Sequence, residues 1–291
     1  RLCPIATRNA IYLIVWGFFK KLVIADNVAA TCNKIFLLAN PDFALLWVGV
    51  FSFCIQIYAD FSGYTDIARG IAMLLGFNLV QNFNHPYFAD SPADFWRRWH
   101  MSLSFWFRDY VYIPLGGSRA TVGRASYNLL FTFFLTGLWH GSNWNFVIWG
   151  MYHAALILAY RVGKTIIPEP LSKKKWALII RIIVMFALTN IGWLIFRETD
   201  LQYLIKYFTL SPFTVTSDQL ERAMYLFLLT TIYSIPLWAH YYFQNLKTYF
   251  PQTFNLENVL VPVRTIFALI MFIGILTVRS QGLVDFIYFQ F

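Results

Sequence analysis

Charged residues are scarce in this sequence: Asp, Glu, Lys and Arg make up 13% of its 291 residues, while 58% are hydrophobic. An ordinary globular domain carries roughly a quarter charged residues, so the balance argues against a soluble fold. Three cysteines occur, Cys3, Cys32 and Cys54; their odd number and the lack of any C-x-x-C spacing argue against a disulfide framework or a zinc knuckle. There is no G-x-S-x-G elbow, no phosphate-binding loop and no dinucleotide fingerprint. His100, His140 and His153 have neither H-x-x-x-H nor H-E-x-x-H spacing, and no Cys or Glu cluster completes a set, so neither a metal nor a bound cofactor is expected. Nothing near Arg1 has the regions of a signal peptide, and Arg1 in place of Met implies that an N-terminal part precedes it. Internal repeats and low-complexity linkers are also missing, which points to one membrane-embedded domain over residues 1–291.

What the sequence has in abundance is apolar and aromatic. Aromatics reach 20%, with 11 Trp, 17 Tyr and 30 Phe, rings that suit packed helices and membrane interfaces. Apolar runs of the length a bilayer demands, roughly 20 residues, fall at 43–62, 125–141, 144–161, 176–196, 223–243 and 258–278. A shorter one at 9–19 stops at Lys20 and Lys21 and continues amphipathically, as an interfacial or tilted helix would. The expected fold is therefore all-α, a polytopic transmembrane helical bundle with interfacial and re-entrant helices, its first partner the lipid bilayer. The net charge of +9 is scattered between apolar runs and makes no extended basic face, so nucleic acid is not an expected partner. Lys and Arg gather instead in the loop 161–175 and at Arg119 and Arg124, which places both loops in the cytoplasm. Residues 125–161 then form a hairpin with His140 at its turn.

Polar residues recur where hydrocarbon should be. Ser91-Pro92-Ala93-Asp94 has the grammar of a helix start, and a helix from Pro92 to about Tyr110 would put Arg97, His100, Ser104 and Arg108 on one arc, opposite Phe95, Trp99, Leu103 and Trp106. Two readings fit: an interfacial helix with a solvated basic face, or a face that lines a polar passage. Asn128, Thr132, Thr136 and His140 recur every fourth residue along a Phe- and Leu-rich span. The threonines could simply bond their own backbone, but an ionisable group inside a membrane is a site candidate by default. Ser52, Gln56, Asp60 and Tyr64 make a third stripe, in which Asp60 is expected to pair locally with the Asp66 and Arg69 region. For His153, packing and function weigh evenly; His85 and His240 are expected to be structural.

The run Asp94-Phe95-Trp96-Arg97-Arg98-Trp99-His100-Met101-Ser102-Leu103-Ser104, followed by Trp106-Phe107-Arg108-Asp109-Tyr110 and Ile113-Pro114-Leu115-Gly116-Gly117-Ser118-Arg119, resembles the membrane-bound O-acyltransferase family, in its bacterial polysaccharide O-acetylation branch. Gly137-Leu138-Trp139-His140-Gly141 with Trp149-Gly150 and His153 is similar to the segment holding that family's invariant histidine, and Tyr58-Ala59-Asp60-Phe61-Ser62-Gly63-Tyr64 resembles a third shared segment. The matches cover about residues 50–160. The resemblance implies a multi-pass enzyme of the bacterial cytoplasmic (inner) membrane, with further spanning helices before residue 1. Such an enzyme takes an acetyl or other acyl group from a thioester such as acetyl-CoA toward a cell-surface polysaccharide hydroxyl, directly or through an extracytoplasmic acyl-accepting protein. It also implies that His140 is the catalytic base and that His100 orients the acyl group or acceptor. From their shared face, Arg97 and Arg108 are expected to contact the donor, and Ser104, Asn128, Thr132 and Thr136 to line the substrate path. Teichoic-acid D-alanyl transfer is the alternative within the family; a transporter or a non-catalytic scaffold is the alternative outside it.

Overall fold

The computed structural model describes residues 4–166, 175–249 and 256–278, and every regular element among them is helical. Among the described residues four helices are long and apolar enough to cross a membrane: Phe43–Leu74, Trp144–Gly163, Trp176–Arg197 and Ser217–Tyr242. The span expected at 125–141 forms the helix Val122–His140, which is not among those four because Arg124 and Asn128 dilute its hydropathy; the span expected at 258–278 forms the helix Leu256–Val278. Part of the basic loop, residues 167–174, lies outside the described residues. The chain divides into two compact units, Arg1–Val80 with Ser211–Gln290, and Gln81–Leu210.

In the first unit, α1 (Pro4–Phe18) runs through a π-helical segment, Phe19–Ala25, into α2 (Asp26–Phe36). The apolar stretch at 9–19 is thus the middle of a much longer helical run. Asp42 caps α3 (Phe43–Leu74) by accepting from the Leu45 amide at 2.9 Å. Glycines let α1 and α3 touch: a Cβ on Gly17 would lie 2.6 Å from the Gly63 carbonyl oxygen, and one on Gly63 would lie 2.8 Å from that of Gly17. α3 continues well past the expected end at residue 62, because its acids find counter-ions on the π segment. Lys20 Nζ meets Asp66 at 2.7 Å and donates to the Ser62 hydroxyl at 2.9 Å, while Lys21 meets Asp60 and Asp26 at 2.9 Å each. Asp60 therefore pairs across helices rather than locally, and Arg69 joins Asp66 at 3.2 Å. α10 (Ser217–Tyr249) and α11 (Leu256–Val278) complete this unit. Trp16, Ile24, Ile55, Leu237 and Met271 share its core, and His240 stacks on Trp16 at 4.5 Å, a structural role as expected.

The second unit holds the short helices α4 (Pro92–Trp96) and α5 (Met101–Phe107), the hairpin of α6 (Val122–His140) and α7 (Trp144–Ile166), then α8 (Lys175–Arg197) and α9 (Leu201–Thr209). α6 and α7 cross with their backbones in contact: a Cβ on Gly137 would run into the Phe146 carbonyl, and one on Gly150 into the Phe133 carbonyl. α7 is tied to α8 by Tyr152, whose hydroxyl donates to the Leu188 carbonyl at 2.9 Å, and by Asn145, which donates to the carbonyls of Ile195 and Phe196 at 3.3 and 2.9 Å.

Candidate functional site

Ser91 caps α4, its hydroxyl accepting from the Asp94 amide at 3.3 Å with Pro92 in the first turn, as the sequence predicts. The single helix expected from Pro92 to Tyr110 does not form. α4 ends at Trp96, and His100 takes a left-handed backbone, φ 39°, before α5 begins. A non-glycine residue holds that conformation only where its surroundings enforce it. Here they are two upstream asparagines. The Asn84 amide donates to the Arg98 carbonyl at 2.9 Å, the Met101 amide donates to the Asn82 carbonyl at 3.0 Å, and the Ser102 amide and hydroxyl both donate to the Asn82 side-chain oxygen at 3.1 and 2.6 Å. These bonds also satisfy the first amides of α5, which no helical partner could. The break takes His100 out of a helical stripe and sets its ring against Trp139, centroids 5.9 Å apart. Burial pushes the His100 imidazole down to about 4, so at neutral pH it is uncharged.

His140 closes α6. Its ring meets Trp139 and Trp149 edge to face, centroids 4.9 Å apart in both cases, and Phe196 at 5.2 Å. Trp139 therefore touches both His100 and His140. The glycine crossing of α6 and α7 brings Trp149 to His140, and Asn145 fixes the end of α8 that carries Phe196. His153 belongs to the same aromatic group: it stacks on Phe95 at 5.8 Å, meets Trp96 at 5.1 Å and Trp149 at 5.0 Å, and is 1% exposed.

A cleft of about 220 Å³ lies in the same unit. Arg97, Ser104, Arg108, Thr132 and Thr136 all line it, so residues from two separate sequence stripes share one space. Most of the remaining wall is apolar, with Trp96, Leu103, Phe105 and Phe133, and Arg161 enters from α7. Neither His100 nor His140 is among the lining residues; Thr136, one helical turn before His140, comes nearest to it along α6. The hydroxyls are committed to the backbone: Thr132 donates to the Asn128 carbonyl at 2.6 Å, Thr136 to the Thr132 carbonyl at 2.9 Å, and Ser104 to the Trp99 carbonyl at 3.1 Å. Asn128 is turned to a different task. It is fully buried, and its amide donates to the carbonyls of Leu115 and Gly117 at 3.0 and 3.3 Å. That holds the Pro-Leu-Gly-Gly turn, where φ values of 107° at Gly116 and 54° at Gly117 call for glycine.

The sequence reading missed three contributions. Asn82 acts on the backbone of residues 101 and 102 through both its carbonyl and its side-chain oxygen, and nothing in its neighbourhood marks it. Trp149 stood only within the family resemblance, with no role of its own, and Phe196 was hidden among many aromatics. Arg161 served there only as a topology marker, although His153, Ile157 and Arg161 recur every fourth residue on α7, the same signal that singled out the stripe on α6.

Helices of membrane length and the absence of strands among the described residues define a helical membrane protein, one unit of which sets imidazoles in aromatic rings and holds a cation-edged apolar cleft. Residues 4–204 match the membrane-bound O-acyltransferase family, and the chain belongs to it. The relatives it matches include "Probable alginate O-acetylase AlgI" of Pseudomonas aeruginosa, 44% identical over 187 residues, 64% of this chain and 35% of that protein. The peptidoglycan O-acetyltransferase of Helicobacter pylori is 37% identical over 199 residues, 67% of this chain and 37% of that protein. The teichoic acid D-alanyltransferase of Bacillus subtilis is 34% identical over 213 residues, 65% of this chain and 50% of that protein. The chain thus spans between about a third and a half of the length of these relatives.

Proposed function

We propose that this chain forms the catalytic part of a multi-pass O-acyltransferase of the bacterial cytoplasmic membrane. It would take an acetyl group from a cytoplasmic thioester such as acetyl-CoA and send it toward a cell-surface polysaccharide hydroxyl, directly or through an extracytoplasmic acyl-accepting protein. The observation that carries the proposal is the convergence of His140 and His100 on the Trp139 ring, with the arginine-edged cleft on the same helix α6. In this reading an imidazole nitrogen of His140 takes the proton of the acceptor hydroxyl as its oxygen attacks the thioester carbonyl carbon. The new C–O bond forms, the C–S bond breaks, and the thiolate leaves and is reprotonated. His100, neutral and held by its enforced backbone, orients the acyl group. Aromatic packing around both rings keeps water away from the thioester. Arg97 and Arg108 stand at the cleft for the donor, and the cationic loops at 119–124 and 161–175 favour a cytoplasmic mouth. A phosphate-bearing thioester does not cross hydrocarbon, so the acyl group is handed over within the protein.

D-alanyl transfer is the second reading, favoured by the teichoic acid relative. Mass analysis of surface polymers with and without the protein separates the two. The mechanistic test is His140→Ala in membranes containing the full-length protein. Acyl transfer should fall by roughly 10² to 10⁴, the usual worth of a general base, with protein levels unchanged. His100→Ala should fall less. Near wild-type transfer by His140→Ala defeats the assignment, and thioester left uncleaved by the wild type defeats the enzymatic reading in favour of a transporter or scaffold.

A further inference from the structure

The donors along the cleft are not equally available. The hydroxyl hydrogens of Ser104, Thr132 and Thr136 are spent on backbone carbonyls. Arg108 is engaged twice by its neighbour Asp109, Nε to Oδ1 at 2.7 Å and an Nη2 to Oδ2 at 3.1 Å. Arg97 reaches Asp94 Oδ1 only at 3.4 Å, while Arg98 holds the other oxygen of that carboxylate at 2.7 Å. Arg161 is different. Its contact is a 3.5 Å hydrogen bond to the Tyr112 hydroxyl, and among the described residues no carboxylate pairs with it.

We infer that Arg161, with Arg97 beside the same cleft, is the residue that recognises the anionic end of the acyl donor. This rests on the donor reading given above and adds the group that discriminates phosphate-bearing thioesters from bare ones. A guanidinium presents several N–H donors in a planar fork that matches a phosphate's oxygens two at a time. An arginine already forked onto a carboxylate must break that fork first, so Arg108 contributes less than its position suggests. The apolar wall of Trp96, Leu103, Phe105 and Phe133 accepts the uncharged arm of the donor, and the cleft follows α6 to Thr136, one turn short of His140.

The experiment measures transfer by the full-length protein in membrane vesicles with two donors: acetyl-CoA, and the S-acetyl thioester of N-acetylcysteamine, which has no phosphate. Arg161→Gln should raise the KM for acetyl-CoA roughly ten- to hundredfold, the worth of a hydrogen bond to a charged group. It should leave kcat and the KM for the phosphate-free thioester near wild type. Arg161→Lys, which keeps the charge and loses the fork, should fall between, and it carries the test if the Gln variant fails to accumulate. An unchanged KM for acetyl-CoA overturns the inference. An equal rise for both donors also overturns it, since Arg161 then only shapes the cleft. If the wild type cleaves neither thioester, the donor reading itself falls, and this inference with it.

Discussion

In the first unit Lys20, 3% exposed, sits 2.7 Å from Asp66, and Asp60, 2% exposed, sits 2.9 Å from Lys21. In the second unit His153, 1% exposed, sits among Phe95, Trp96 and Trp149, and His140 among Trp139, Trp149 and Phe196. Both units bury ionisable side chains, but only one surrounds them with opposite charge. An ammonium removed from water costs several kcal/mol unless an acid meets it. An imidazole avoids that cost by shedding its proton near neutral pH. Ion pairs in the first unit therefore hold helices together, while the imidazoles of the second unit pack among aromatic rings.

Removing one ion tests this contrast hardest. Asp66→Ala leaves Lys20 buried beside Ser62 and should destabilise the protein by about 3–5 kcal/mol, whereas replacing both partners, Lys20→Met with Asp66→Leu, should recover most of that loss. Thermal unfolding in detergent measures both; a small effect of the single change would mean that water already reaches the cluster. Asn128→Ala is an intermediate case. It should cost about 1–3 kcal/mol, because the carbonyls of Leu115 and Gly117 lose their donor, and protease sensitivity at residues 115–119 should rise with it. The smallest effect is expected at His153. Among the described residues its Nδ1 has no hydrogen-bond partner, so His153→Phe should change stability by less than about 1.5 kcal/mol, as a near-isosteric swap does. A larger loss would show that the imidazole is a polar contact of the fold and not a ring among rings.

The helical class, the start of α3 at Phe43 and the cap at Ser91 were legible because each rests on local chemistry: apolar run length, an N-cap acid, a Ser-Pro start. The length of α3 was not, since Asp60 and Asp66 are neutralised by lysines some forty residues earlier, and no local rule brings Lys20 and Lys21 there. The broken helix at His100 was missed for the same reason, its support coming from Asn82 and Asn84. Arg97, Ser104 and Arg108 nonetheless line one cleft, because the turn at residues 97–100 redirects the chain without taking these side chains off its wall. Thr132 and Thr136, expected to line a substrate path, do line the cleft, while Asn128, on the same stripe, supports a turn. Spacing reports a shared face; it does not report which neighbour that face meets.

The glycine contacts between α6 and α7 bear on motion as well as packing. Side chains between two helices can change rotamer and let one helix slide past the other, but where carbonyl oxygens occupy the space that a Cβ at Gly137 or Gly150 would fill, there is nothing to rearrange. The hairpin behaves as a single rigid lever. His140 and Trp149, one on each arm, are therefore held at their spacing by the backbone contact itself.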